Sequence, residues 1–298
     1  MSSITQLSRA QACFLGLAIG DALGAPVEFQ KPGSFEPITG YRDGGPFNLK
    51  AGQWTDDSSM ALCLAESLLA CGKLDLKDNL DRYCRWWQHG ENSVIGDCFD
   101  IGNGTHSALS HYLRTGEVEA GGLNALGNGA LMRMAPIPIW SNQDIADAID
   151  LAQQSTVTTH RHPQAIALSG YFAELLVRAL QGESKTDLLS GHWYQHPDAE
   201  IVEVVRGSWQ TSTNIRAQGH ALYALEAALW AFGTTTSFAD CLLAAVNLGE
   251  DSDTVGAIAG QIAGAHYGLE AIPDDWIAGL QDSDRFQTLA EKLFNRSI

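Results

Sequence analysis

Glycine recurs at every fourth position in two otherwise apolar stretches of this chain: Gly16, Gly20 and Gly24 near the start, and Gly256, Gly260, Gly264 and Gly268 near the end. Residues four apart share one face of an α-helix, so each row predicts a helix with a flat groove where side chains would otherwise stand. A glycine inside a helix costs about 1 kcal/mol against alanine. A whole row of them is expected where another backbone or a ligand approaches closely. The rows therefore predict closely packed helices that hold their polar end residues at fixed separation.

Most of the remaining sequence follows the same 3.6-residue period. Amphipathic segments run through Leu62, Ala65 and Leu69, through Leu80, Tyr83, Trp86 and Trp87, and through Ile145, Ile149 and Ala152. Further helical runs are Gln164–Leu180, His220–Phe232, Phe238–Leu248, Thr254–Tyr267 and Arg285–Phe294, and the sole strand candidate is Ile201–Val205. Glycine and proline clusters at Lys31–Gly52, Gly121–Gly129 and Gly191–Pro197 mark loops between helices rather than a linker between domains. The expected fold class is all-α, a single compact array of helices forming one domain over residues 1–298.

A net charge of −17 would repel a phosphate backbone, which argues against general nucleic-acid binding. Cys13, Cys63, Cys71, Cys84, Cys98 and Cys241 show no Cys-x-x-Cys pair or zinc-finger spacing, and are read as reduced thiols of a cytoplasmic protein. The run Ala10–Gly20 after Arg9 imitates a secretory leader, but Asp21 falls where apolar character should persist, and a tightly packed helix explains the run better. Thr254–Leu269, interrupted by Gln261 and His266, falls short of the roughly 20 residues a membrane span needs, so no membrane role is expected.

Two acidic clusters stand out. Thr55-Asp56-Asp57 follows Gly52-Gln53-Trp54 and precedes the helical run from Ser58, while Asp251-Ser252-Asp253-Thr254 precedes the glycine-spaced helix. Each alone reads as a helix cap with acids in the first turn, where the helix dipole favours them. Together they offer paired carboxylates and threonine hydroxyls, the hard oxygen ligands of Mg²⁺, Mn²⁺ or Ca²⁺, with no cysteine or histidine among them. Two carboxylates 4 Å apart repel by about 4 kcal/mol at an effective dielectric near 20, so convergence of the clusters would call for cations.

The order of motifs makes the chain specific. It resembles the ADP-ribosylglycohydrolase family, which includes dinitrogenase-reductase-activating glycohydrolases and eukaryotic ADP-ribosyl-acceptor hydrolases. The matching segments are Gly16–Gly24 with Glu28 beyond, Gly52–Asp57, Gly127–Arg133, Thr159-His160 and Gly249–Thr254 with its glycine-spaced helix, covering about residues 10 to 280. The resemblance implies an all-helical fold with a central cleft and a centre of two divalent cations, Mg²⁺ or Mn²⁺. Carried over position by position, the metal ligands would be Thr55, Asp56, Asp57, Asp251, Asp253 and Thr254. The implied reaction is metal-dependent release of ADP-ribose from an ADP-ribosylated protein or a small-molecule ADP-ribose derivative. The linkage suggested by bacterial relatives is the N-glycosidic bond of ADP-ribosyl-arginine. O-linked ADP-ribosyl-serine, small ADP-ribose compounds, and a non-catalytic binding or structural role are the alternatives.

Gly102-Asn103-Gly104-Thr105 reads as a glycine turn before the helix Ala108–Leu113, and the resemblance makes it a diphosphate-contacting loop. Gly127-Asn128-Gly129 reads as a turn and, by resemblance, as a second wall of the ADP-ribose site, with His160 beside the ligand. Glu250 stands where many relatives carry glycine, and Asn103 aligns where the nitrogenase-reactivating relatives carry an acid. Glu28 is the first candidate for the catalytic proton-transfer group, with Asp97 and Asp100 flanking the loop as alternatives.

Overall fold

A computed structural model describes residues 4–296. The chain runs through α1 (Gln6–Gly24), α2 (Asp56–Cys71), α3 (Leu76–His89), α4 (Asn103–Thr115) and α5 (Gly129–Met132). It continues through α6 (Pro136–Trp140), α7 (Ile145–Thr156), α8 (Pro163–Leu180), α9 (Lys185–Ser190) and α10 (Ala199–Val205). The last third is α11 (Ala221–Thr234), α12 (Phe238–Val246), α13 (Ser252–Tyr267), α14 (Asp274–Gly279) and α15 (Ser283–Asn295). Among the described residues there is no β-strand, and the fold is all-α as the periodicity predicts.

The two glycine rows meet each other. Helices α1 and α13 lie face to face, so a methyl group on Gly20 would fall 2.0 Å from the Gly256 carbonyl oxygen, and one on Gly260 would fall 1.9 Å from that of Gly16. The contact continues to the end of α1, where a methyl on Gly24 would fall 2.4 Å from the Asp253 Cα. Ser252 Oγ closes that end by donating 2.9 Å to the Gly24 carbonyl. Backbone contact at these positions leaves nothing able to move aside. Gly20→Ala is expected to destabilise the fold by at least about 1–3 kcal/mol through overpacking, read as a drop in the thermal midpoint.

The α1–α13 pair forms the centre of the core, packed on by α12, α11, α8, α15 and α2. Gln6–Val27 is long and apolar enough to cross a membrane by length and composition, yet 94% of its most apolar window is buried inside the fold. This agrees with reading that run as a packed helix. Phe286 of α15 sits edge-on between Phe14 of α1 and Trp54, at 5.2 Å from each, and fixes the entry to α2. A second apolar cluster, including Met60, Leu80, Tyr83, Trp86, Leu109 and Tyr112, joins α2, α3 and α4, and so sets the N-terminus of α4 against the core.

Two local expectations are corrected. Ile201–Val205 is helix, not strand: Asp198 caps α10 by accepting from the backbone of Glu200 at 3.0 Å and Ile201, which starts a helix that the apolar side chains then seat on the core. Asn103-Gly104-Thr105 is not a loop before a helix but the first turn of α4, with Gly102 as its N-cap.

Candidate active site

Asp56 and Asp57 open α2, and Asp253 and Thr254 lie in the first turn of α13. The caps themselves decide whether these are ordinary helix starts. Neither the Thr55 nor the Asp251 side chain bonds its own helix's free N–H groups. Thr55 Oγ1 instead lies 2.9 Å from Asp21, 3.2 Å from Asp57 and 3.3 Å from Asp253. Thr254 Oγ1 donates to Asp57 at 3.2 Å, so clusters nearly two hundred residues apart in sequence converge. They do so because the glycine contact presses the ends of α1 and α13 together.

Asp21 is the site residue that sequence reasoning left out. It is fully buried, and each of its oxygens takes two hydrogen bonds: Oδ1 from Thr55 N and Oγ1, and Oδ2 from Ser58 N and Oγ. Asp21 thereby ties the N-terminus of α2 to the end of α1. The available signal was an isolated acid inside the most apolar helix of the chain.

Two sets of carboxylates bring one oxygen each within 4.8 Å of one another: Asp21, Asp57 and Asp253, and Glu28, Asp251 and Asp253. Asp253 belongs to both. Asn128 orients Asp251 by donating 2.6 Å to its Oδ2. Glu28 is 4% exposed and its Oε2 is buried without a hydrogen-bond partner. Among the described residues no lysine or arginine pairs with any of these acids.

Burial first, and then mutual repulsion, raises the pKa of these acids when no cation is bound. Burial, followed by the charges of Asp253, Asp100, Asp251 and Asp57, pushes the Glu28 carboxyl up to about 12. Asp100 is raised to about 8 by burial and then by Asp21 and Asp251, while a hydrogen bond with Asp253 acts the other way. Asp56, Asp57 and Asp253 are held well above the usual carboxylate range, by burial first and then by their acidic neighbours. Asp21 reaches only about 6, because bonds from Ser58 and Thr55 offset part of its burial.

A carboxyl raised in the folded state binds more protons there than in the unfolded chain, so stability falls as pH rises. For Asp100 the window runs from an unfolded value of about 4 to about 8. The thermal midpoint in chelator is expected to drop across pH 4 to 8, and Mg²⁺ or Mn²⁺ to reduce that drop. A flat profile in chelator would contradict the crowding.

A cavity of about 800 Å³ opens over these acids. Its lining includes Glu28, Asp56, Asp100, Asp251, Asp253 and Thr254 on the carboxylate side, with Gly102–Thr105, Gly127–Gly129 and His160 also in the wall. Thr55 and Asp57 lie beneath that lining. The first-turn N–H groups of Asn103, Gly104 and Thr105 have no acceptor within α4, which suits an anion.

Gly127 and Gly129 are glycine for a steric reason: a methyl at either would fall within 3.0 Å or less of the His160 ring, at 3.0 Å from Nε2 and 2.9 Å from Cε1 respectively. Their segment is fixed by the bond from Asn128 N to the Gly219 carbonyl at 3.0 Å. Behind the ring, Arg133 donates 2.8 Å to Thr159 Oγ1, which stands 2.8 Å from His160 Nδ1. Arginine only donates, so the hydroxyl accepts from it and keeps one proton and one lone pair for its contact with Nδ1. Burial and then Arg133 lower the His160 pKa to about 3, which keeps the ring neutral.

Asp97 does not join the site. It is exposed and absent from the cavity wall, whereas Asp100, three residues on, adopts a left-handed backbone (φ 56°) and lines it. Phe29, Lys31, Ile101, Met132, Gln218, Gly219 and Glu250 also line the cavity. Of these, Glu250 drew attention in the sequence, and Met132 fell within the matching segment Gly127–Arg133.

The model of the family described as ADP-ribosylglycohydrolase matches residues 2–298. The chain belongs to the ADP-ribosylglycohydrolase family. It is 39% identical over 292 residues to the ADP-ribosylarginine hydrolase Tri1 of Serratia proteamaculans, covering 97% of this chain and 79% of that protein. Identity to the ADP-ribosyl-[dinitrogen reductase] glycohydrolase of Rhodospirillum rubrum is 31% over 280 residues, 91% of this chain and 90% of the relative. A solved ADP-ribosylglycohydrolase-related protein complex contains a chain that superposes with a TM-score of 0.88 at 40% identity, covering 98% of this chain and 99% of that one. As an ADP-ribosylglycohydrolase, the protein is a glycosidic-bond hydrolase, and the cavity above the carboxylates is its candidate active site.

Proposed function

We propose that this ADP-ribosylglycohydrolase cleaves the N-glycosidic bond between ADP-ribose and an arginine side chain, with divalent cations held by the carboxylates beneath the cavity. The observation that carries the metal dependence is the pair of largely buried carboxylate sets sharing Asp253, with no lysine or arginine paired to them among the described residues. The donors are all carboxylate or hydroxyl oxygen, which suits Mg²⁺ or Mn²⁺. Glu28 Oε2, buried and unbonded, is the kind of orphan that a cation or a bound water would satisfy. The residues therefore fit. Thr55, Asp56, Asp57, Asp251, Asp253 and Thr254 would hold the ions, with Asp21 orienting Thr55 and Glu28 beside them as the proton acceptor. Bound cations would supply charge neutralisation and Lewis acidity.

The chain's own groups account for the rest. The α4 N-terminus offers N–H donors to the diphosphate, and the His160 ring lies in the cavity wall beside it. The distal ribose then lies over the carboxylates. Ionised once cations neutralise its acidic neighbours, Glu28 accepts a proton from water as that water adds to the anomeric carbon; the carbon–nitrogen bond breaks and its electron pair leaves with the guanidine. The arginine linkage is supported by the name and the 39% identity of the Serratia relative. Purified protein with Mg²⁺ or Mn²⁺ is expected to release ADP-ribose from ADP-ribosyl-arginine faster than from ADP-ribosyl-serine peptide or small ADP-ribose esters. Preference for either of the latter would reassign the linkage, and full activity in chelator would remove the metal.

A further inference from the structure

The mouth of the cavity carries an aromatic ring that the fold does not require. Phe29 follows Glu28 directly and lines the cavity, yet it is 68% exposed. An exposed ring contributes little apolar burial, so its placement needs another explanation.

The backbone holds it there deliberately. Phe29 adopts a left-handed conformation (φ 62°), and so does Glu250 opposite (φ 53°), a region that large side chains seldom occupy. Phe29 N donates to the Glu250 carbonyl at 2.6 Å and Glu250 N donates to the Gln30 carbonyl at 2.7 Å. These bonds fasten the Glu28 segment to the residues just before Asp251. The ring is braced edge-on by Phe47 at 6.5 Å, and Phe47 by Phe99 at 5.1 Å. Backbone strain of this kind, over-determined by its surroundings, is concentrated where a side chain is presented to a ligand.

The same cavity wall carries Glu250, and among the described residues Lys31 is its one lysine or arginine. An aromatic face attracts a planar cation through the ring quadrupole. ADP-ribose would run away from this point, toward the α4 N-terminus and His160, so the group on the other side of the scissile bond would lie toward the mouth. We propose that Phe29 is a specificity residue, its ring stacking on the guanidinium of the ADP-ribosyl-arginine substrate and favouring cationic over neutral leaving groups. This rests on the arginine reading above.

The test uses cation-loaded protein and compares Phe29→Leu, which keeps the bulk, with Phe29→Tyr, which keeps the ring. Phe29→Leu is expected to raise KM for ADP-ribosyl-arginine about ten-fold, the scale of a partly desolvated cation–π contact, with kcat little changed. Phe29→Tyr should resemble wild type. Affinity for free ADP-ribose, which has no leaving group, should stay the same in both by calorimetry. Phe29→Met repeats the loss of the ring should the leucine variant fold poorly. A wild-type KM in the leucine and methionine variants would overturn the assignment, as would an equal loss of ADP-ribose affinity, which would place the ring on the nucleotide. Wild-type protein that leaves ADP-ribosyl-arginine intact would defeat the linkage reading and this inference with it, a result distinct from cleavage indifferent to Phe29.

Discussion

Asp253→Ala is expected to abolish turnover, by at least about a thousand-fold, and to remove tight divalent-cation binding while leaving the helical fold intact. The magnitude follows from losing several kcal/mol of charge stabilisation when a shared ligand disappears. Asp253 is the one acid present in both carboxylate sets, and it is 2% exposed. Its removal also takes one charge out of a crowded cluster, so the variant should melt higher than wild type in chelator and gain less from added Mn²⁺. These opposite movements of activity and stability separate a metal ligand from a structural residue, whose loss would lower both. Calorimetric titration with Mn²⁺, a thermal melt with and without chelator and an ADP-ribose release assay read all three. Near-wild-type turnover at low cation concentration would show that the ligand assignment is wrong.

How much of this site the sequence discloses depends on whether the deciding contact is local. The glycine rows disclose close helix packing because period and residue type are local facts. That the rows pack on each other, bringing Asp21 of α1 beside Thr55 and Asp253, is a tertiary fact that period cannot carry. Asp21 therefore reads in sequence only as an interruption of an apolar run. The acidic clusters are legible as candidate ligands, but composition cannot say where Thr55 Oγ1 points, and that direction is what excludes a simple cap. Asp97 and Asp100 look equivalent in sequence, and the left-handed turn at Asp100 separates them. The α4 start was hidden for a related reason: two glycines lower helix propensity, while packing of α4 on α3 through Leu109 and Tyr112 overrides it. Phe29 left no trace because an exposed aromatic residue means something only once its position at the cavity mouth is known.

Glu28→Gln is expected to lower kcat by about two orders of magnitude or more, with little loss of ADP-ribose affinity, the size usual for removing a general acid or base. Glutamine keeps the shape and cannot take up the proton. Glu28 is the stronger of the remaining candidates on geometry, since its Oε2 has no hydrogen-bond partner and its other neighbours are the acids of the second carboxylate set. Asp100 lines the same cavity and is the alternative. Asp97 is exposed outside the cavity, so Asp97→Asn should behave as wild type. Because Glu28 also belongs to a candidate metal set, its variant needs a second readout: a proton-transfer group lost from kcat leaves Mn²⁺ affinity nearly unchanged, whereas a lost ligand weakens both together. Normal turnover in Glu28→Gln, combined with an Asp100→Asn variant that is inactive yet still binds ADP-ribose, would move the proton-transfer role to Asp100.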